Sequence, residues 1–522
     1  MRKFLMAVAI GGLVLLLAAP AMALDFKFGA EYRVRFFDYM NTGFDSTNTL
    51  PNAQGGGVGN NSGRGNPRGI QLRIRPRFDA SDDNGNIQAT IRFETGDTTW
   101  GAGGGAGADS WGTNFGNTNI ETTSNRTGNG AGGAMGADGV SLEVKWGFMD
   151  FAIPNIPLRV RAGIQPWYLP KGLVVDDDAA GVRAYGNSGN LNYEAFWFRI
   201  ATTPLSNTAA AGTIGQPRFD ATKNDNFDIY GAKIGYNFAD WLNATAWYFY
   251  GSNDVNCVGT AVTGYQYLTG PCAGQPVLRQ QNWFGIDLLG KVGTVDYDLD
   301  FAYGAAKGGN LGSYTAGSVN SSGFNALSPI DVQGFAIDGG VHIPIGPIKL
   351  NLLGTYATGD KGKNDGGKST AYPYGVSPSW SGAGGQYELI GEGGAFDVVS
   401  MTQHSPSGLY MLGATIEYVP VKALWLKAAY GFVGFSEKNG NCGWAYNPTN
   451  GVQTPGQTCF GPVYIGKPSD PMIGKSWLGN ELHFRADYTM WTGFKVQAMA
   501  GWLFPSAGDI AGKYILQFLY NF

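Results

Sequence analysis

Arg33, Arg35, Arg73, Arg75, Arg77, Arg92, Arg159, Arg161 and Arg183 fall in the first half of the chain, mostly at two-residue spacing and flanked by apolar residues. Residues two apart share one face of an extended strand, so these arginines line one side of successive strands. Glu31 and Glu94 fall on the same side. A guanidinium stays charged and grips carboxylate or phosphate through two parallel hydrogen bonds, so a wall of this kind would hold and orient anions. The same spacing also suits cross-strand ladders in which the arginines pair with carboxylates and only stiffen the sheet. Both readings stand, and they are not exclusive.

Other reactive groups are sparse. The three histidines are His342, His404 and His483, and only His404 has a hydroxyl beside it, at Ser405. Neighbouring side chains on a strand point apart and do not make a triad, so no enzyme is expected. Asp176, Asp177 and Asp178 form an acidic triplet that suits either a calcium ion or a solvated loop, and no metal site is assigned. The four cysteines, Cys257, Cys272, Cys442 and Cys459, pair naturally as two local bridges, Cys257 to Cys272 and Cys442 to Cys459. Neither pair has the close spacing of a zinc knuckle and no haem-attachment motif occurs, so no cofactor is expected.

The elements that carry the arginines are short alternating strands. Phe26, Phe28, Ala30, Tyr32, Val34 and Phe36 alternate with Lys27, Gly29, Glu31, Arg33 and Arg35, and Ile70, Leu72, Ile74 and Phe78 alternate with Arg73, Arg75 and Arg77. Ile87, Ala89, Ile91 and Phe93 oppose Arg92 and Glu94. Leu142, Val144, Trp146 and Phe148 are read as outward, against Glu143, Lys145 and Gly147. Val160, Ala162 and Ile164 oppose Arg159 and Arg161, then 166–180 is read as an outer loop before Arg183. Alternation weakens over 191–200 and 228–238. Later strands put Asp228, Asp287, Asp298, Asp300, Asp338, Glu417, Glu481 and Asp487 inside, balanced by Lys233, Lys291, Lys349, Lys427, Arg485 and Lys495. Tight turns alternate with long glycine-rich loops. At the end, Tyr514, Leu516, Phe518, Tyr520 and Phe522 fall on one face against Lys513, Gln517 and Asn521. Strands that are apolar outside and polar inside, joined by short turns and long loops, predict an all-β fold: an antiparallel transmembrane barrel of about eighteen strands.

Composition agrees. Arg2 and Lys3, the apolar run that follows and the small residues near Ala23 read as a secretory leader over 1–23, leaving a single barrel domain over 24–522. Glycine is abundant, at 82 of 522 residues, yet aromatics make up 13 % of the chain, which excludes the aromatic-poor composition of disorder. A net charge of −4 argues against nucleic-acid binding. Expected partners are outer-membrane lipid and, through the aromatic carboxy-terminal strand ending at Phe522, the barrel-assembly machinery; association with further copies is left open.

The arginine-laden opening strands, the segment 161–183 (RAGIQPWYLPKGLVVDDDAAGVR) and the segment 477–509 (WLGNELHFRADYTMWTGFKVQAMAGWLFPSAGD) resemble the alginate-export family of outer-membrane barrels. That resemblance implies eighteen strands around an arginine-rich pore through which an acidic polysaccharide leaves the cell. The expected function is a porin that passes hydrophilic, anionic solutes by diffusion in the bacterial outer membrane. Export of an acidic polysaccharide is the alternative, and a sheath or surface scaffold for a partner protein is the second. Reducing the two expected disulfides should loosen their loops and leave the barrel folded, read as an unchanged heat-modifiable band on electrophoresis. Loss of that band on reduction would contradict the pairing.

Overall fold

Strands laid side by side in a bilayer cannot keep a free edge, because lipid offers unpaired backbone groups no hydrogen-bond partner. The computed structural model shows how this chain meets that demand. It describes residues 24–40, 68–99, 142–202, 226–239, 241–253, 262–263, 266–267, 278–308, 331–359, 368–370, 372–373, 379–390, 406, 408–437, 477–506 and 510–522. The leader, all four cysteines and His404 lie outside the described residues. In chain order the strands are β1 (Leu24–Met40), β2 (Arg68–Asp82), β3 (Ile87–Thr99), β4 (Leu142–Ala152), β5 (Arg159–Tyr168), β6 (Asp176–Ser188), β7 (Leu191–Thr202), β8 (Asn226–Ala239), β9 (Leu242–Asn253), β10 (Val262–Thr263), β11 (Gln266–Tyr267), β12 (Leu278–Val292), β13 (Val295–Gly308), β14 (Asp331–Ile345), β15 (Ile348–Ala357), β16 (Lys368–Ser369), β17 (Leu409–Val421), β18 (Leu424–Phe435), β19 (Trp477–Trp491), β20 (Phe494–Pro505) and β21 (Ala511–Asn521).

Nineteen of these make one sheet. Two-residue β16 only adds in parallel to the start of β14, so the other eighteen form the closed antiparallel wall, as expected. Closure is made by β1 and β21, which pair from Glu31 opposite Asn521 to Met40 opposite Gly512. Phe522 completes the seam, its N–H donating to Ala30 O (3.1 Å) and its carbonyl accepting from Ala30 N (2.9 Å). Outside that seam Phe28 lies 5.0 Å from Phe78 and 5.8 Å from Phe522, and Phe36 lies 6.2 Å from Phe518, ring centre to ring centre. Large apolar residues such as Ile91, Ile234, Phe284, Leu352, Leu412 and Phe484 stay exposed around the wall. No helix among the described residues is long and apolar enough to cross a membrane. An even-stranded, closed antiparallel barrel with this apolar, aromatic exterior is of the outer-membrane type, and the protein resides in the bacterial outer membrane. Tight turns join alternate strand pairs, with Gly293 and Gly346 at φ near +60°, a conformation that glycine adopts without penalty.

Three sequence readings change. Trp146 and Phe148 face the lumen, not lipid. In the β3–β4 ladder Arg92 pairs with Trp146 and Phe93 with Val144, so Lys145 is an extra residue in a bulge. A bulge inserts one residue and inverts the alternation beyond it. Lys145 and Trp146 therefore both reach inside, Phe148 and Asp150 follow, and Met149 is exposed. Asp228, read as inward, sits on the outer face two residues before exposed Tyr230, where it accepts from Arg199 Nε (2.8 Å) and Nη2 (2.9 Å). The span 166–180, read as an outer loop, is mostly strand, and only 169–175 is a turn. The bulge has a direct consequence for accessibility. A cysteine placed at Trp146 should react with a small hydrophilic thiol reagent from the aqueous lumen, whereas one at Val144 should be shielded by lipid or detergent. Equal labelling of the two would mean that the alternation is unbroken.

Candidate functional site

The arginines stand on the inner face, and the register places like charges opposite one another. Arg33 pairs with Arg73, Arg77 with Arg92 and Arg161 with Arg183. Such pairs repel unless carboxylates come between them. Glu31 is shared by Arg75 (3.6 Å) and Arg92 (3.4 Å). Glu94 serves Arg73 (3.4 Å), Arg75 (2.7 Å) and Lys145 (3.8 Å). Asp150 lies between Arg159 (2.7 Å) and Arg161 (2.8 Å) and also accepts from the Tyr185 hydroxyl. Glu194 joins Arg183 (2.7 Å) to Lys233 (3.1 Å). Each of these carboxylates thus serves more than one cation, and the wall keeps a positive surplus. Aromatic faces take part of it: Arg92 lies 4.5 Å over Trp146, Arg161 4.5 Å over Phe148 and Arg183 5.1 Å over Tyr185.

The acidic half of the wall is covered. Two segments turn inward from the extracellular side: the β5–β6 turn at 169–175, and a strap at 379–390 that precedes β17. Carboxylates on the wall seize the strap by its backbone. Asp338 accepts from Ala383 N (3.1 Å), Trp380 Nε1 (3.1 Å) and Thr355 Oγ1 (2.5 Å). Glu481 accepts from the N–H groups of Glu388 (2.6 Å), Leu389 (3.0 Å) and Ile390 (2.8 Å), and shares a hydrogen with His483 Nδ1 (2.9 Å). Lys427 donates to Gln386 O and Oε1, and Lys513 to Glu388 O, each at 2.9 Å. The β5–β6 turn is tied to the strap, since Gly172 O accepts from Ser379 N (2.9 Å) and Trp380 N (3.2 Å).

Lys171, at the tip of that turn, enters a nest of carboxylates on β13 and β14: Asp298 (2.7 Å), Asp300 (2.8 Å) and Asp338 (2.9 Å). Burial disfavours its charge, but the Asp338 and Asp300 carboxylates outweigh that and hold its pKa above the ordinary lysine value. Apolar packing completes the seat. Leu173, Val174, Val175, Trp380 and Tyr387 are buried together with inward Trp167, Phe198, Phe249 and Trp283. Gly413 and Gly431 make room for Tyr387, because a Cβ at either would strike its ring.

This chain is similar to OpdK, an outer membrane protein of Pseudomonas aeruginosa (11 % identity over 95 % of this chain and 98 % of that one, TM-score 0.48). It is also similar to OccAB4 of Acinetobacter baumannii and to a BenF-like porin of Pseudomonas fluorescens Pf-5, each at 10 % identity over 95 % of this chain and 98 % of the other, with TM-score 0.47. No family model and no curated protein matches the sequence.

All the arginines singled out by their spacing lie on the inner face with Glu31 and Glu94, but not equally. Arg33, Arg35 and Arg73 are buried, while Arg77 is 46 % exposed. The aspartate triplet does not converge: Asp176 accepts from Ser379 Oγ (2.6 Å), and Asp178 accepts from Trp146 Nε1 (2.7 Å) and pairs with Lys145 (3.1 Å). Among the described residues no group of three His, Cys, Asp or Glu side chains is arranged to hold a metal. Sequence reasoning missed Lys171 and the strap, and although it put Asp338 and Glu481 inside, it did not foresee that they anchor the strap. A signal was present. Phe196, Phe198, Trp247, Phe249 and Trp283 are apolar on the face that should be wet, and an apolar inner face must be covered by something inside. Replacing Asp338 by Asn or Glu481 by Gln should weaken the strap by about 3–5 kcal/mol, as when one partner of a buried charged pair is lost. Backbone amide exchange at 383 or at 388–390 should speed up accordingly while the barrel stays folded; unchanged exchange would show that packing alone holds the strap.

Proposed function

We propose that the protein is a passive outer-membrane porin for hydrophilic anionic solutes. The observation that carries this reading is the unequal fate of the two charge types. Several carboxylates of the later strands are spent as anchors: Asp338 and Glu481, wholly buried, hold the strap, and Asp300, nearly so, holds Lys171. Five arginines of the early strands stay open to the lumen, with side-chain exposure of 18 % for Arg75 and Arg92, 28 % for Arg159, 23 % for Arg161 and 21 % for Arg183. The inward segments occupy the acidic side, so a solute in the remaining passage runs beside the basic side. Fixed positive charge in a narrow aqueous path favours anions over cations, and paired guanidiniums suit carboxylate or phosphate groups.

The arrangement needs no energy source and no catalytic group. Export of an acidic polysaccharide such as alginate, implied by the sequence resemblance, finds no support in the comparisons; such a polymer would meet the same arginines and is separated from small solutes by experiment. A sheath for a partner protein is the remaining reading and predicts a folded barrel that does not conduct alone.

Single-channel recording of the purified barrel across a salt gradient tests the proposal, with anion-preferring conductance expected. Neutralising Arg75 and Arg77 together to Gln should move the reversal potential toward that of an unselective pore. Glutamine is preferred to glutamate here, because a new carboxylate at 75 would face Glu31 and Glu94. A wild-type channel without anion preference, or variants with unaltered selectivity, would sink the assignment. Block by polyuronate of high but not low chain length would favour the polysaccharide reading.

A further inference from the structure

Neighbouring residues of a strand point to opposite faces, so two side chains in succession rarely act on one group. The bulge in β4 removes that limit. Lys145 is the extra residue of the β3–β4 ladder, and both it and Trp146 reach the lumen. Bulges recur where a side chain is re-aimed at a site, and here the two re-aimed side chains share one target. Lys145 Nζ lies 3.1 Å from Asp178 Oδ2, and Trp146 Nε1 donates to Asp178 Oδ1 at 2.7 Å. The carboxylate thus has a donor on each oxygen, one of them charged, and charge-assisted pairs of this kind are the strong ones.

Both donors are also held by groups other than Asp178. Arg92 lies 4.5 Å and Arg77 5.7 Å from the centre of the Trp146 ring. The two guanidiniums fix the indole by cation–π attraction and draw electron density from it, which makes its N–H a better donor. Glu94 steadies Lys145 at 3.8 Å but lies closer to Arg75, at 2.7 Å, and so leaves the ammonium largely to Asp178. These holding groups all belong to β2 and β3, in the wall beside β4. Asp178 comes from elsewhere. It stands on β6, opposite Pro166 of β5, in the hairpin whose tip turns inside. The contact can therefore open without breaking the β3–β4 ladder. Lys145 keeps 31 % of its side chain exposed, so the place that Asp178 fills borders the passage.

We propose that Lys145 and Trp146 form a carboxylate subsite of the passage, and that Asp178 is its built-in occupant, displaced by the carboxylate of a passing organic acid. The inference rests on the reading of the protein as a channel for anions and adds the class of anion. A spherical ion such as chloride cannot use both donors as a carboxylate does, and gains little from the subsite. The occupant also keeps a solute from lodging there, since a channel must bind well enough to admit and weakly enough to release.

Acetate is the probe. Single-channel currents of the wild type and of Asp178→Ala are measured against acetate and, separately, chloride concentration. Loss of one negative charge moves both ions alike, so the readout is the ratio of the two half-saturating concentrations. An occupant present about nine-tenths of the time lowers apparent affinity about tenfold, so the acetate-to-chloride ratio should fall roughly tenfold in Asp178→Ala. Adding Lys145→Met to Asp178→Ala should abolish that gain. Adding Trp146→Phe instead keeps a ring beneath the guanidiniums and removes only the N–H; it should reduce the gain, and it serves if Lys145→Met does not fold. An unchanged ratio in Asp178→Ala would overturn the proposal, and so would a gain that survives both additions. Anion preference over cations is read apart from this, from the reversal potential in potassium chloride. Its absence would sink the broader reading, while a fall in the acetate-to-chloride ratio that needs Lys145 and Trp146 would still establish the subsite.

Discussion

A peptide group in a bilayer finds no hydrogen-bond partner but another peptide group, and this constraint shapes everything else in the molecule. It closes β21 onto β1, with Phe522 bonded to Ala30 at the end of the seam. It also divides every strand into a face that lipid must accept and a face that water or protein must accept. On the outer face the solution is a coat of aliphatic and aromatic side chains, interrupted by the Asp228–Arg199 pair. On the inner face it varies, and the differences between one arc of the wall and another define how the lumen works.

From β1 to β6 the inner face is wet and cationic. Arginine suits such a wall because its planar fork can satisfy a carboxylate on one side and lie on an aromatic ring on the other. Asp150 between Arg159 and Arg161, with Phe148 and Tyr185 beside them, uses both modes at once. Ladder and binding surface are then one object. Ion pairs fix the guanidiniums in place, and because each carboxylate is shared among several cations, the fixed array still presents net positive charge.

From β7 to β21 the inner face is built to hold protein. Asp338 and Glu481 are aimed at backbone N–H groups, Asp298, Asp300 and Asp338 at Lys171, and its buried aromatic residues meet the apolar side chains of the two inward segments. A buried carboxylate is tolerable only when its lone pairs are filled, and Glu481, with three backbone donors and a histidine, meets that condition. Anchoring shapes the charge of the lumen: Asp338 and Glu481 are used up in holding the strap, together with Lys427 and Lys513, whereas Arg75, Arg92, Arg159, Arg161 and Arg183 remain partly exposed.

What the sequence determined by itself was whatever depends on a period of two. Alternation placed the strands, the closing strand from Tyr514 to Phe522, the short turns and the inward face of Arg33, Arg35, Arg73, Arg75, Arg77, Arg92, Arg159, Arg161 and Arg183, because side chains on a strand have only two directions. It failed at Lys145, where one added residue inverted the faces of Trp146 and Phe148, and at Asp228, whose charge suggested the lumen although a salt bridge to Arg199 lets it stay outside. Only the tertiary structure could show what fills the barrel. Lys171 meets Asp338 across 167 residues of chain, and Ile390 meets Glu481 across 91. No local pattern encodes such pairings, since they follow from which strands the closed wall brings to face one another.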